Sequence, residues 1–222
     1  MRRLATVLSF LGSMSTSAGF SMSSPLVLGS GSATRKAILQ ELGFKFEVCK
    51  PDIDEKAIRF DDPAELVMAL GKAKASALLE SHHADRFREE GALLLTGDQV
   101  VVCADTILEK PESEEEARQF ISLYAKNPPS TVGSCVVTDP RSGQQWAAVD
   151  RASVTFSTIP DSLVDSLIEE GEVFYCAGGL MVEHPLLQPH IVRLDGGMDS
   201  IMGLCKETVV RLLREASACR EA

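Results

Sequence analysis

From Pro25 onward, short apolar runs alternate with longer stretches in which apolar residues recur at helical spacing. This alternation is typical of a mixed α/β domain, in which buried strands are joined by helices that cover the sheet. The apolar runs predict strands over residues 26–28, 44–49, 93–95, 100–103, 180–183 and 191–194. The periodic stretches predict helices over about 33–42, 63–80, 113–126, 160–171 and 204–216.

Two further segments complete the predicted organisation. Residues 131–138 and 144–156 flank the turn-rich sequence Asp-Pro-Arg-Ser-Gly at 139–143, which predicts a long β-hairpin. Residues 81–91 are polar and charged, so we interpret them as a surface connection. Residues 25–222 are therefore expected to form one α/β domain.

The first 24 residues differ from the rest in composition. They contain Arg2, Arg3 and seven serines but no acidic residue, and their apolar stretch 4–11 is too short to span a bilayer. This composition is typical of an organelle transit peptide, but it equally suits a disordered leader before an internal start. The expected location is the cytoplasm, or a mitochondrion or plastid if the segment is a transit peptide.

Composition and charge exclude several classes of protein. With 45% hydrophobic and 24% charged residues, the chain has the balance of a globular protein and not of a disordered one. The formal net charge of −10 disfavours binding to DNA, RNA or an anionic membrane, because each needs a strongly basic face. Six cysteines without a C-x-x-C pair disfavour a zinc cage and suit a reducing compartment.

A glycine- and serine-rich loop at residues 29–32 follows the first predicted strand and precedes the first predicted helix. Small residues allow close approach, and the helix N-terminus directs amide N–H groups at an anion, so the loop is a candidate phosphate cradle. The loop lacks the P-loop ending, and many such loops only turn the chain. Arg35 favours the ligand hypothesis, because a cation is unfavourable in a first helical turn without an anionic partner.

Carboxylates appear at two other predicted element ends. The acidic loop 52–55 offers hard oxygen ligands for a divalent cation, although acidic loops are usually only solvated. The sequence Thr-Gly-Asp-Gln at 96–99 places Asp98 at the carboxyl end of an apolar strand, where open α/β sheets bind ligands. Lys72 and Lys110, taken alone, are ordinary exposed lysines.

Together, these pieces resemble the Maf family of nucleoside triphosphate pyrophosphatases. The matching segments, in chain order, are LVLGSGSATRKAILQELGFKFEV (26–48), DIDE (52–55), GKAKA (71–75), TGDQVV (96–101), EKP (109–111), VTF (154–156), CAGGLMVE (176–183) and DSIMGL (199–204). The resemblance implies an inosine-triphosphatase-like fold, with a long twisted mixed sheet flanked by helices and a cleft between two lobes. It also implies a homodimer, because the family commonly forms dimers.

The resemblance implies hydrolysis of a nucleoside triphosphate between the α and β phosphates, assisted by Mg²⁺ or Mn²⁺. Asp98 is expected to accept a proton or position water, and to hold the metal together with Glu55. The expected phosphate-binding residues are Ser30, Ser32, Arg35, Lys72 and Lys110. The rival hypothesis is a non-catalytic nucleotide-binding regulator of cell division.

Three positions are expected to select the base. Gln99 and Glu183 resemble the branch of the family that acts on 7-methyl-GTP, whereas the dTTP and UTP branch has threonine and glutamine there. Thr34 departs from the family, which has arginine or tryptophan at this position. The sequence therefore predicts a 7-methyl-GTP pyrophosphatase, with dTTP and UTP as the alternative substrates.

Overall fold

The computed structural model of the protein describes residues 22–221. The prediction of a leader therefore lies outside the described residues as far as residue 21. Met22 packs partly against the core, and the Ser24 hydroxyl accepts a hydrogen bond from Arg220 Nη1 at 3.1 Å. The domain contacts thus begin slightly before residue 25.

The described chain alternates strands and helices, as the hydrophobic pattern predicts. The strands are β1 Leu26–Leu28, β2 Phe46–Val48, β3 Leu93–Thr96, β4 Gln99–Cys103, β5 Thr106–Leu108, β6 Ser130–Thr138, β7 Gln145–Phe156 and β8 Ile191–Asp195. The α-helices are α1 Ala33–Glu41, α2 Pro63–Glu80, α3 Ala84–Glu90, α4 Glu114–Tyr124, α5 Asp161–Glu170, α6 Met198–Ile201 and α7 Lys206–Glu221.

All eight strands belong to one mixed sheet. The order along the main path is β2-β1-β3-β6-β4-β5, and β7 lies on the other side of β6, where it also pairs with β8. β1 is parallel to both β2 and β3, and the remaining pairs are antiparallel. The predicted mixed α/β sheet is confirmed, and so is the predicted hairpin, which is β6 and β7.

Strand β6 pairs with both β3 and β4 along one edge. Residues 97 and 98, which we call the Asp98 corner, connect these two strands inside the sheet. The second half of β6 pairs with β3, ending at Thr96 opposite Val136, and its first half pairs with β4, beginning at Gln99 opposite Gly133. The register is the same in both halves, and the Asp98 carbonyl accepts a hydrogen bond from the Ser134 amide of β6 at 2.8 Å. The Asp98 amide donates instead to the Ser134 hydroxyl, so the ladder is locally irregular at Asp98.

Helices pack on both faces of the sheet because its strands are apolar on both sides. α1 and α7 cover β1 and β3 on one face, around buried residues such as Leu39 and Leu213. α2 covers the other face and contacts β6 along the stripe that includes Leu66 and Leu70. A second core, with Phe156 among its members, packs α4 and α5 against β4, β5 and β7.

Two predictions about local structure are wrong. Residues 81–91 contain helix α3, whose Phe87 is fully buried and anchors the short helix to the core. Residues 180–183 form turns instead of a strand, because Gly178 and Gly179 take positive φ and fold the chain back before it. Leu180 is nevertheless buried as its apolar character requires. Strand β5 was not predicted.

No α-helix within residues 22–221 combines the length and the apolar composition that a membrane crossing requires.

Candidate functional site

Asp98 owes its position to the glycine that precedes it. A Cβ on Gly97 would lie 2.1 Å from the carbonyl oxygen of Ser134, so only glycine allows the chain to pass β6 at this distance. The Ser134 hydroxyl accepts from the Asp98 amide at 3.0 Å and donates to the Val67 carbonyl at 2.6 Å. The backbone of Asp98 is therefore fixed between β6 and α2.

The Asp98 side chain meets a buried lysine. Lys74 Nζ lies 2.5 Å from Asp98 Oδ1 and 2.9 Å from Glu55 Oε1, so one ammonium joins two carboxylates. The Lys74 side chain is 9% exposed, whereas that of Glu55 is 50% exposed. The three groups carry a formal net charge of minus one at the carboxyl end of β3.

The carboxyl of Glu55 is held in its charged form. Burial acts to raise its pKa, but the hydrogen bond and the charge of Lys74, with Lys110 and Arg35 farther away, bring the pKa below its usual value. Glu55 begins a short 3-10 turn, residues 55–57, whose N-cap Asp54 accepts from the Lys56 amide. Glu55 is therefore ionised at neutral pH and faces the buried ammonium.

The glycine- and serine-rich loop borders the same corner of the sheet. Ser32 is the N-cap of α1, and its hydroxyl accepts from the Arg35 amide at 3.3 Å and contacts Thr34 Oγ1 at 2.8 Å. Ser30 is buried, and its hydroxyl accepts from the Ser32 amide at 3.2 Å. The sequence predicted this loop correctly as a strand-to-helix connection, and both serines take part in its hydrogen bonding.

Arg35 joins three separate parts of the chain. Its Nη1 donates to the Gly97 carbonyl at 2.9 Å and its Nε to the Gly203 carbonyl at 3.0 Å, while Nη1 also lies 3.4 Å from Ser30 Oγ. Gln99 contacts the segment that contains Gly203, since its Nε2 donates to the Ser200 carbonyl at 2.8 Å. Arg35 and Gln99 therefore fix the 200–203 segment against the corner that holds Asp98.

The remaining predicted residues border a second wall of the site. Lys110 is exposed, and its charge is close enough to Glu55 to help lower the pKa of the Glu55 carboxyl. Glu183 is half-buried, and both it and Lys110 are near enough to Cys176 to influence the pKa of its thiol. Within residues 22–221, no hydrogen bond or ion pair joins Glu183 to Lys74 or to the two carboxylates that Lys74 contacts.

Burial shapes the charge of Glu183. Desolvation raises the pKa of its carboxyl; His184 opposes this effect, and Glu172 adds to it. The charged form is therefore held at a cost, because no side-chain cation among the described residues forms an ion pair with it. A ligand that brings donors or positive charge to this carboxylate would remove that cost.

Sequence reasoning selected Lys72 and overlooked Lys74. Residues two positions apart on an α-helix differ by about 200° around its axis, so the two lysines face nearly opposite directions. Lys72 is exposed, whereas Lys74 is buried against the carboxylates. The overlooked signal was periodicity, because Lys74 continues the buried stripe of Leu66, Leu70 and Leu78 at four-residue spacing.

Ser134 was also missed, and the sequence carries no comparable signal for it, because it is one of several small polar residues in β6.

Asp98 and Glu55 do not form a complete metal site by themselves. The described residues contain no group of three or more histidine, cysteine, aspartate or glutamate side chains arranged to hold a metal on their own. Asp98 and Glu55 nevertheless offer two hard carboxylates within reach of one ammonium. Magnesium is commonly bound by one or two carboxylates together with substrate phosphates, so this donor set fits such an ion only alongside a polyphosphate.

Comparison with known proteins gives a consistent result. A family model described as Maf-like protein matches residues 25–216. The chain is 38% identical over 196 residues to a Dictyostelium discoideum protein named 7-methyl-GTP pyrophosphatase, covering 88% of this chain and 98% of the relative.

Two bacterial relatives are less similar. An Idiomarina loihiensis protein named 7-methyl-GTP pyrophosphatase is 33% identical over 73% of this chain and 79% of its own length. A Halalkalibacterium halodurans protein named dTTP/UTP pyrophosphatase is 30% identical over 86% of this chain and 95% of its own length. The relatives thus carry two different substrate names.

Proposed function

The chain belongs to the Maf family, and we propose that it hydrolyses nucleoside triphosphates to nucleoside monophosphate and pyrophosphate, with 7-methyl-GTP as its preferred substrate. The observation that carries the proposal is the buried ammonium of Lys74 between Asp98 and Glu55, beside a loop suited to phosphate. Two carboxylates and a fixed cation at the carboxyl end of a strand match the needs of phosphoryl chemistry.

The proposed reaction is attack of water on the α-phosphorus and rupture of the bond between that phosphorus and the α–β bridging oxygen. Asp98 positions the water and accepts its proton, because its backbone is fixed and its carboxyl group is held by the Lys74 ammonium. Lys74 neutralises charge on the polyphosphate and bridges the two carboxylates. The leaving group is pyrophosphate.

Asp98 and Glu55 would hold a divalent cation of the Mg²⁺ or Mn²⁺ type, completed by phosphate oxygens. Such an ion would neutralise charge that develops on the phosphates. The rest of the phosphate binding falls to Ser30, Ser32, Arg35 and Lys110. Nη2 of Arg35 makes no hydrogen bond to any described residue, so it is free to contact a phosphate oxygen.

The proposed base preference rests on Glu183. Guanine presents two adjacent donors, N1–H and the 2-amino group, and a carboxylate that accepts both is their natural partner. Methylation at N7 makes the ring cationic, which strengthens the attraction to a half-buried carboxylate. Because burial already raises the pKa of Glu183, a cationic base would stabilise its charged form.

The activity is tested on purified protein with 7-methyl-GTP, GTP, UTP and dTTP in the presence of Mg²⁺ or Mn²⁺. We expect monophosphate and pyrophosphate in equal amounts, and in water labelled with heavy oxygen we expect the label in the monophosphate. Release of diphosphate and inorganic phosphate would contradict cleavage between the α and β phosphates. Nucleotide binding without turnover would instead support a non-catalytic regulator.

The base preference is tested with Glu183→Gln. The matched control is Glu169→Gln, at an exposed position of α5. We expect Glu183→Gln to reduce kcat/KM for 7-methyl-GTP by about tenfold or more, since charge-assisted hydrogen bonds are worth roughly 1.5–3 kcal/mol. It should reduce kcat/KM for UTP by less. We also expect a higher Tm at neutral pH, because the substitution removes the cost of a half-buried charge.

A second substrate class is carried by the relative named dTTP/UTP pyrophosphatase. A wild-type preference for dTTP, or equal losses on both substrates in Glu183→Gln, would favour that class. Thr34 bears on the same choice because its hydroxyl is engaged by the N-cap Ser32. Thr34→Ala should therefore alter the ranking of substrates more than the overall rate.

A further inference from the structure

We infer that Arg59 and Glu109 are positioning residues, which hold the loop of Glu55 against the loop of Lys110 and so set the two sides of the phosphate site. The inference rests on the proposed function and adds two residues to it. Neither residue belongs to the group of predicted catalytic, phosphate-binding or base-selecting residues. Arg59 and Glu109 are 50 positions apart in the chain, and only the fold brings them together.

The loop that carries Glu55 has little support of its own. Between residues 52 and 62, most side chains are exposed, and only Ile53 and Ile58 pack against the core beneath α2. A carboxylate in such a loop keeps a defined direction only if other contacts hold the loop. Glu55 contacts Lys74 from this loop, so any loosening would be felt first at that contact.

Arg59 supplies such contacts from within the loop. Its Nη1 donates to the carbonyl of Glu55 at 3.2 Å and to the carbonyl of Ile58 at 2.9 Å, which closes the loop on itself. Its Nη2 lies 3.6 Å from Glu109 Oε1. The planar guanidinium therefore connects the Glu55 backbone directly to the residue that precedes Lys110.

Glu109 extends the connection to the wall that carries Glu183. Its carbonyl accepts a hydrogen bond from the Gly178 amide at 2.8 Å, which joins the Lys110 segment to the segment ending at Glu183. A Cβ on Gly178 would lie 2.4 Å from the Tyr124 hydroxyl, so this approach also depends on glycine. Glu109 thus contacts one wall with its side chain and the other with its backbone.

A second ion pair crosses the same gap. Lys56 Nζ lies 2.5 Å from Glu112 Oε1, so the residues after Glu55 and after Lys110 both take part in bridges between the two loops. Both pairs are well exposed, and exposed pairs contribute little to global stability. Their removal should therefore change the geometry of the site more than the stability of the fold.

The test compares Arg59→Gln, Glu109→Gln and the double variant by kcat at saturating substrate, so that substrate binding cancels. We expect about a threefold loss for Glu109→Gln, within the range of an exposed ion pair, and a five- to tenfold loss for Arg59→Gln, which also loses two carbonyl contacts. The double variant should be no slower than Arg59→Gln. Arg59→Lys should restore part of the activity, and Tm should change by less than about 2 °C.

The matched control is the exposed pair between Arg118 on α4 and Asp165 on α5, joined at 2.7 Å. Arg118→Gln breaks an equally exposed bridge between two elements and should leave kcat unchanged. A positioning role acting through Glu55 predicts one further result. In a Glu55→Gln background, adding Arg59→Gln should cause a smaller loss of kcat than it causes in the wild-type protein.

The outcomes separate this inference from the proposed function. Wild-type protein that hydrolyses no triphosphate overturns the proposed function. Active wild-type protein with unchanged kcat in Arg59→Gln overturns only the positioning role. A full additional loss in the Glu55→Gln background, or a fall in Tm that accounts for the lost activity, would likewise overturn it.

Discussion

Two lysines on one helix provide the sharpest test of the site. Lys72 and Lys74 both lie on α2, but only Lys74 contacts Asp98 and Glu55, at 2.5 and 2.9 Å. Methionine keeps the length and much of the volume of lysine while removing its charge. We therefore expect Lys74→Met to abolish most of the activity and Lys72→Met to behave like the wild-type protein.

The size of the effect follows from the geometry. Without the ammonium that both contact, the carboxylates of Asp98 and Glu55 would repel each other. For charges about 5 Å apart, this repulsion is about 3 kcal/mol at an effective dielectric constant near 20. Solvent at Glu55, which is 50% exposed, lowers this to about 1–2 kcal/mol. Loss of a charge-assisted contact to phosphate adds roughly 1.5–3 kcal/mol. Together these give a loss of about 2.5–5 kcal/mol, or roughly 10²-fold to several 10³-fold in kcat/KM.

The pH dependence gives an independent measure. Lys74 helps to hold the pKa of Glu55 below its usual value, so its removal raises the pKa of one of the two carboxyls. The acid limb of the pH–rate profile should move to higher pH in Lys74→Met and stay in place in Lys72→Met. Pyrophosphate release across pH 4–9, with circular dichroism to confirm folding, measures both effects. Near-normal activity in folded Lys74→Met, or an equal loss in Lys72→Met, would refute this reasoning.

Three further predictions concern other parts of the molecule. Asp98→Asn should lower kcat by at least about 10²-fold in a pyrophosphate-release assay, since it removes a positioned base, and near-normal kcat would exclude Asp98 from the reaction. Gly97→Ala should lower the free energy of unfolding by about 1–3 kcal/mol in a denaturant titration, because its Cβ would clash with the Ser134 carbonyl, and an unchanged midpoint would contradict that close approach. Arg220→Ala should lower the free energy of unfolding by about 3 kcal/mol at pH 7, because Arg220 forms a bidentate, largely buried ion pair with Asp139. The pKa of Asp139 is lowered in the fold, so this contribution to stability is present above about pH 4 and is lost as the pH falls through the folded pKa. The Tm difference between the variant and the wild-type protein should therefore shrink at acidic pH.

Elements with strong local signals were predicted well. Asp62 caps α2 and Pro63 is its first residue, so the start of that helix follows from adjacent residues. The hairpin of β6 and β7 follows from the turn sequence between two long apolar segments. Helix α3 was missed because it is only seven residues long and depends on burying Phe87 in a core that other elements build.

The site residues also divide into those with a local sequence signal and those whose contacts depend on packing. Asp98 was expected at a strand end and lies there, because a strand followed by glycine and aspartate is a local pattern. The contact of Asp98 with Lys74 joins residues 24 positions apart, and the contact of Arg59 with Glu109 depends on how two loops meet. Such pairings are decided by packing across the sheet, and no local pattern specifies them.

Arg35 was predicted as a phosphate-binding residue on an argument that the fold shows to be incomplete. A cation in the first turn of α1 was taken to need an anionic ligand, because the helix dipole disfavours it. In the fold, the carbonyl oxygens of Gly97 and Gly203 already supply partial negative charge to its Nη1 and Nε. These two hydrogen bonds therefore account in part for a cation in the first turn of α1 without any anionic ligand. Because the same guanidinium holds residues 97 and 98 in place, the proposed phosphate contact of Arg35 would be coupled to the position of Asp98 through one side chain.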